Sequence, residues 1–370
     1  MTSSKTILYF VLNWGLGHAT RSIPIIRALI NRGNRVILVS TGRALHVLQS
    51  EFPENECLDV PDYNIRYSRT AWALIPFLLL QTPKIFRALS REHAITETLV
   101  KTYRADLIVS DNRYGCYSKT IPSFFITHQL RFQVPKGLGW SACISEWFNR
   151  LYFRHYTQIL IPDEKGTPNL SGDLSHKGAI TRHPKLCYIG GFSSLFSCEA
   201  RETDIDLLVI ISGPEPQRTR FEGTILSQIR GVAGKKVIVL GRPESTTESD
   251  LPGDETLEIH THLDRRTMAQ YIHRAKRILT RSGYSTVMEL AALNKAAIFV
   301  PTPGQTEQEY LARYHQSSNH WIFKPQSDLN INAIMTELDH FQTSETQWTL
   351  NRVDEICELL FNSFNEKAIQ

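Results

Sequence analysis

Short apolar runs recur along this chain, and each ends in a few polar or glycine residues. Residues 6–12, 35–40, 105–110, 121–126 and 159–163 are near-continuous runs rather than alternating ones, as expected of parallel strands buried on both faces. A second series follows at 206–211, 235–240, 256–261, 278–280 and 296–300. Helical periodicity fills the gaps at 23–30, 45–50, 140–156, 330–339 and 353–361, with Gly33 placed as a helix C′ residue. Alternating strands and helices predict an α/β protein with parallel sheets. The 370 residues divide into 1–190 and 191–345, two domains of ordinary size, with a last helix in 346–370. Tyr188-Ile189-Gly190-Gly191 opens the linker.

The stretch 278–308 is the richest in chemistry. It reads as strand, tight polar turn, helix, strand, polar loop, helix. The turn is Arg281-Ser282-Gly283-Tyr284-Ser285-Thr286, in which Gly283 supplies a permissive backbone and Ser282, Ser285 and Thr286 crowd the helix start. Free N–H groups and hydroxyls at a helix N-terminus attract phosphate. Glu289 lies about one turn in, where a carboxylate can accept from a ribose diol. Thr286 and Glu289 also fit a capping box that binds nothing. Glu307 and Gln308 follow the next strand, at the carboxyl end where open parallel sheets bind ligands. In the same half, Gly213 lets the backbone approach a ligand, and Arg218 can reach a diphosphate.

In the first half the loop Gly15-Leu16-Gly17-His18-Ala19-Thr20-Arg21 follows the first strand. A dinucleotide fingerprint would need a glycine where Thr20 stands and an acid after the second strand, and both are missing. His18 can act as a general base at neutral pH or can merely bond the turn. Asp111, after the 105–110 run, can orient or deprotonate an acceptor hydroxyl or cap a helix. His128 sits in Thr127-His128-Gln129, the polar end of the 121–126 run.

The 206–312 stretch resembles the donor half of MurG-type glycosyltransferases, family 28 enzymes that use UDP-N-acetylglucosamine, and 7–30 resembles their N-terminal loop. The resemblance implies GT-B architecture, two doubly wound Rossmann-like βα domains facing a central cleft, with the last helix crossing back to the first domain. It places Ser282-Gly283 at the diphosphate, with Gly213 and Arg218 in support. It places Glu289 on the ribose and Leu263 near the uracil. Glu307, Gln308 and Glu309 fall at the sugar hydroxyls, where that family usually carries Gln-Gln instead of Gln308-Glu309. Gly17 and His18 fall beside the acceptor, and His128 takes a position that is usually acidic in the family. The implied activity is transfer of N-acetylglucosamine or a similar hexose from a UDP-sugar to a glycan or lipid-linked acceptor, without a metal or other cofactor. His18 or Asp111 would activate the acceptor hydroxyl, and Arg218 and the helix start at Ser285 would stabilise the departing diphosphate. A nucleotide-sugar hydrolase or epimerase on the same fold, or a non-catalytic sugar-nucleotide-binding subunit, is the alternative. A related hydrolase carries a similar Gly-His-x-x-Arg loop.

Composition narrows the partners. A net charge of +4 is too weak to argue for nucleic acid. Six cysteines show no metal-ligand spacing and read as reduced thiols of a cytoplasmic protein. No segment reads as a signal peptide or reaches the ~18 apolar residues of a membrane span. The segment 66–91 joins the apolar run 72–80 to Arg66, Arg69, Lys84, Arg87 and Arg91. It is either a core helix with a basic face or a patch for peripheral contact with an anionic membrane.

Overall fold

The computed structural model describes residues 4–63, 74–133, 141–193, 202–242, 255–316, 321–339 and 352–367. The chain divides into two units, Met1–Trp14 with His18–Phe192 and Thr349–Gln370, and Gly15–Gly17 with Ser193–Trp348.

The first unit is built on a seven-stranded parallel sheet. Its strands are β1 (Thr6–Val11), β2 (Arg35–Ser40), β3 (Cys57–Asp59), β4 (Leu107–Asp111), β5 (Ser123–Ile126), β6 (Gln158–Ile161) and β7 (Leu186–Tyr188), in the spatial order 3-2-1-4-5-6-7. Helices α1 (Gly17–Asn31), α2 (Gly42–Glu51), α3 (Leu74–Tyr103), α4 (Ala142–Phe153) and the one-turn α5 (Asp173–His176) connect them. Two of these strands were not evident from the apolar pattern. β3 and β7 are three residues each and only partly buried, so they carry too little apolar signal. Leu186–Tyr188 therefore pairs with β6, where the sequence suggested the start of a linker. β1 is buried from Ile7 onward and is flanked by β2 and β4, as a central strand of a parallel sheet is. Leu8 and Phe10 pack with Ile37, Val39 and Ile108 in one core cluster. Helix α11 (Val353–Lys367) belongs to this unit; Ile356, Cys357 and Leu360 are buried, and Arg32 Nη2 donates to Asp354 Oδ1 at 2.5 Å.

The second unit repeats the plan with six parallel strands. They are β8 (Leu207–Ile210), β9 (Lys236–Val239), β10 (Leu257–His260), β11 (Ile278–Thr280), β12 (Ala297–Phe299) and β13 (Trp321–Phe323), ordered 10-9-8-11-12-13. Helices α6 (Gln217–Ile229), α7 (Arg265–Arg274), α8 (Tyr284–Ala292), α9 (Thr306–His315) and α10 (Ile331–Asp339) complete it. Leu207, Val209, Leu279 and Ile298 form its centre with Phe221 and Ile225 of α6.

Each sheet thus reverses direction once, between β1 and β4 in the first unit and between β8 and β11 in the second. At such a reversal the connections leave toward opposite faces and open a crevice beyond the strand carboxyl ends. The residues that follow these four strands occupy the positions where a ligand fits each sheet.

Candidate functional site

In the first unit Val11 of β1 is in register with Asp111, the last residue of β4. α1 starts at Gly17, so His18 lies in its first turn rather than in a loop. Arg21 and Ser22 follow at i+3 and i+4, on the same helix face. His18 Nδ1 is 2.7 Å from Asp111 Oδ1. Arg21 Nη2, which can only donate, lies 3.0 Å from the same Nδ1, but the carboxylate can only accept and is the nearer partner, so Nδ1–H donates to Asp111 and Nε2 keeps its lone pair. Arg21 Nε donates to Asp111 Oδ2 at 2.6 Å, and its Nη2 donates to Oδ1. Ser22 Oγ adds a bond to Oδ2 at 3.2 Å. The next position, Asn112, turns through a φ of 59°, which asparagine tolerates better than most residues.

Electrostatics follow from this packing. Burial lowers the pKa of His18, and the Arg21 charge lowers it further; the Asp111 carboxylate opposes both. Arg21 and His18 hold the Asp111 carboxyl well below the usual carboxylate range in spite of its burial. Arg21 Nη1 also donates to His128 Nδ1 at 2.9 Å, which leaves the proton of that ring on Nε2. Asp111 is 0% exposed and both its oxygens are taken, so it does not meet an acceptor hydroxyl itself. The reading in which it deprotonates the acceptor directly, and the one in which it caps a helix, are both replaced by orientation of His18. Arg21 was quoted in the loop motif but not assigned a role. Its i+3 spacing from His18 was the available signal.

In the second unit α8 begins at Tyr284 with Gly283 as its N-cap residue, which offers no side-chain cap. Thr286 is thus inside the helix, and the capping box with Glu289 does not form. Gly283 has φ −69° and ψ 144°, which any residue adopts, so its value is not a permissive backbone. A Cβ there would meet nothing nearer than Gln308 Nε2 at 3.9 Å, which leaves room above the turn. Ser282 Oγ is tied to the Gln308 carbonyl at 3.0 Å, while Ser285 and Thr286 are half-buried in the first turn. Glu289 Oε1 accepts from Arg265 of α7, and its Oε2 takes no hydrogen bond among the described residues. Leu263 precedes that helix, whose N-cap Asp264 accepts from Thr267 N at 3.0 Å.

The loop after β12 is drawn in by its own side chains. Gln308 Oε1 accepts from Thr302 N at 2.8 Å, its Nε2 donates to Gln305, and Glu309 Oε1 accepts from Gly304 N at 3.0 Å. Glu307 is half-buried in the first turn of α9. Gly213, after β8, has φ +113°, a conformation that favours glycine. Arg218 is the second residue of α6, buried, with Nε on Glu215 and Nη1 on Glu222, both at 2.6 Å. The sequence expectation that it meets a diphosphate would require breaking those bonds. Among the described residues no three His, Cys, Asp or Glu side chains gather to hold a metal ion.

Two family models match the chain. Residues 233–357 match the glycosyltransferase family 28 C-terminal domain, and residues 5–122 match glycosyl transferase family 1. A UDP-N-acetylglucosamine–N-acetylmuramyl-(pentapeptide) pyrophosphoryl-undecaprenol N-acetylglucosamine transferase of Methylobacterium sp. (strain 4-46) is 25% identical over 329 residues, 84% of this chain and 81% of that one. MurG of Acinetobacter baumannii superposes with a TM-score of 0.52 at 13% identity, over 96% of this chain and 99% of that one. A putative UDP-N-acetylglucosamine 2-epimerase from Listeria monocytogenes superposes with a TM-score of 0.61 at 12% identity, over 99% and 98%. Two Rossmann-like parallel sheets, each with polar residues at its reversal point, are those of the GT-B fold, and the chain is a glycosyltransferase. The family 28 C-terminal match covers most of the second unit, which is similar to that of MurG-type enzymes.

Proposed function

We propose that this protein transfers N-acetylglucosamine, or a similar hexose, from a UDP-sugar to a hydroxyl of a lipid-linked acceptor. The observation that carries the donor reading is Glu289, with one oxygen held by Arg265 and the other without a hydrogen bond among the described residues, on a helix whose N-cap residue is a glycine and makes no side-chain cap bond. That pairing suits a ribose diol on the carboxylate and a diphosphate at the helix start. His18 Nε2 takes the acceptor proton as the acceptor oxygen attacks the anomeric carbon. The bond from that carbon to the diphosphate oxygen breaks, and UDP leaves with the electron pair. The N–H groups at the start of α8 meet the growing negative charge, so the reaction needs no metal.

A titration tests the donor half. UDP is expected to stabilise the protein, and Glu289→Ala to weaken UDP binding about ten- to a hundredfold, the cost of a charge-assisted bond of ~1.5–3 kcal/mol. An unchanged titration in a variant that melts like the wild type would leave Glu289 as a partner of Arg265 and nothing more. UDP release without any acceptor would make water the acceptor and the enzyme a hydrolase.

The acceptor half of the proposal implies contact with a membrane surface. Residues 66–73 of the basic apolar stretch lie outside the described residues, and 74–80 are described only as helical backbone. No helix among the described residues is long and apolar enough to cross a membrane. α4 offers a surface instead. Its buried face carries Ala142, Ser145, Asn149 and Phe153, whereas Ile144 is 47% exposed and Trp147 59%. Phe132, 39% exposed, is tied to α4 through its N–H on Ser145 Oγ at 3.0 Å. Arg150 and Arg154 are exposed beside them. Each apolar side chain can contribute ~1.5–3 kcal/mol if fully buried in the acyl boundary, and each cation ~1 kcal/mol at an anionic surface, enough for reversible binding. The protein is expected to sediment with anionic vesicles at low salt and to leave them as salt rises. Ile144→Ser with Trp147→Ser should weaken that binding severalfold without lowering the melting temperature. Equal sedimentation by the double variant would remove α4 from the membrane contact.

A further inference from the structure

Of the buried side-chain atoms that have no hydrogen-bond partner among the described residues, two stand at neighbouring strand ends beside the second unit's sheet reversal, Arg281 Nε after β11 and Thr302 Oγ1 after β12. Thr302 is 1% exposed, and its Oγ1 has no hydrogen-bond partner. Arg281 is 1% exposed, and its Nε has none. Buried polar atoms are nearly always satisfied, so an orphan beside a ligand-binding strand end points to a partner that arrives with the ligand.

The surroundings say what kind of partner. The Thr302 N–H is already given to Gln308 Oε1 at 2.8 Å, so the hydroxyl is the donor this residue has left. A Cβ on Gly213 would lie 3.6 Å from that hydroxyl. No other described atom outside the glycine and its chain neighbours comes within 4 Å of that point, and the φ of +113° disfavours any residue but glycine there, so the space beside the hydroxyl stays open. Arg281 sits just behind. Its Nη1 donates to the Val300 and Pro301 carbonyls at 3.1 Å each, the two residues before Thr302, and its Nη2 donates to Gln326 Oε1 at 2.8 Å and to the Gln217 carbonyl at 3.3 Å. The guanidinium stacks 3.8 Å above the Phe221 ring. Every one of these partners is neutral. Burial lowers the Arg281 pKa to about 10, with no carboxylate pulling it back up, so it remains a cation at neutral pH. A buried positive charge with no counter-charge favours an anionic ligand over a neutral sugar hydroxyl.

We propose that Thr302 Oγ1 donates to a diphosphate oxygen of the donor nucleotide, with Arg281 as the positioning residue whose charge stands behind it. This rests on the donor reading given above and adds a contact that the resemblance to MurG-type enzymes did not supply. Unlike the Ser282-Gly283 turn, it comes from the strand beyond the reversal point, so the diphosphate is met from two neighbouring strand ends.

The test is Thr302→Val, which keeps the shape and removes the hydroxyl, with Thr302→Ser as its rescue. Wild type, both variants, and the ligands UDP and uridine are compared by titration. Thr302→Val is expected to melt at the wild-type temperature or about 2–4 °C above it, because it removes an unsatisfied buried hydroxyl. It should bind UDP about ten- to a hundredfold more weakly and uridine as the wild type does, and Thr302→Ser should recover most of the UDP affinity. Wild-type UDP affinity in Thr302→Val overturns the proposal and leaves the donor reading standing. Equal losses for UDP and uridine, or unfolding of Thr302→Val, also overturn it, since the hydroxyl would then serve the nucleoside or the fold. A wild type that binds neither ligand removes the donor reading, and this contact with it.

Discussion

His18→Ala is expected to lower turnover by about 10²–10⁴-fold while UDP affinity stays within a few-fold of wild type, the pattern of lost acid–base help. The expectation comes from tautomer and charge. Asp111 accepts a hydrogen bond from Nδ1–H of His18 at 2.7 Å, which leaves Nε2 as the basic atom. Burial and the Arg21 charge then keep the ring neutral by lowering its pKa from 6.5. A base with a lowered pKa is ready at neutral pH. The kcat/KM profile should hold its plateau through pH 7 and fall only on the acid side of 6.5. Stability has the same sign. The folded pKa lies below the unfolded one, so this contribution is present above pH 6.5 and is lost as pH falls from there through the lower folded value. Equal losses of UDP binding and turnover in His18→Ala would place the residue in the donor pocket. A profile that falls already above pH 7 would mean the imidazolium is the resting form.

Asp111→Asn should cost more in stability than any other single change at this site. The carboxylate is fully buried and accepts from both Nε and Nη2 of Arg21, which is 2% exposed. Removing one member of such a pair costs ~3–5 kcal/mol, because the remaining charge stays buried and unpaired. Chemical denaturation should show that loss as a lower midpoint. Turnover, measured where the variant is still folded, should also fall by about 10²-fold or more, because an amide no longer dictates which nitrogen of His18 carries the proton. A midpoint within ~0.5 kcal/mol of wild type would mean that Arg21 finds another partner and that the network is looser than its geometry. Acid should mimic the substitution. The Asp111 carboxyl is held far below its ordinary 3.8, so its stabilisation is present above that pH and is lost as pH falls through and below it.

The linear sequence determined the alternation of buried strands and helices, because a parallel strand covered on both faces must be apolar throughout and needs no partner to be recognised. It also determined that His18, Asp111, His128, Gly213, Ser282 and Gln308 follow strands in two such sheets, since polar residues can sit only where the apolar run stops. The short edge strands β3, β7 and β13 escaped, as three residues carry no period. What the side chains do with one another was decided only in three dimensions. Asp111 and Arg21 are ninety positions apart in sequence, and nothing local marks one as the other's partner. Thr286 had the spacing of a cap, yet α8 starts two residues earlier, at Tyr284, because Val287 N already reaches the Gly283 carbonyl at 3.0 Å. Arg218 had a suitable charge for a diphosphate, but Glu222 lies one helical turn further on and takes it first. Thr302 and Arg281 gave no signal at all in the sequence. Their importance lies in bonds they do not make, and an unmade bond exists only once every neighbour has been placed.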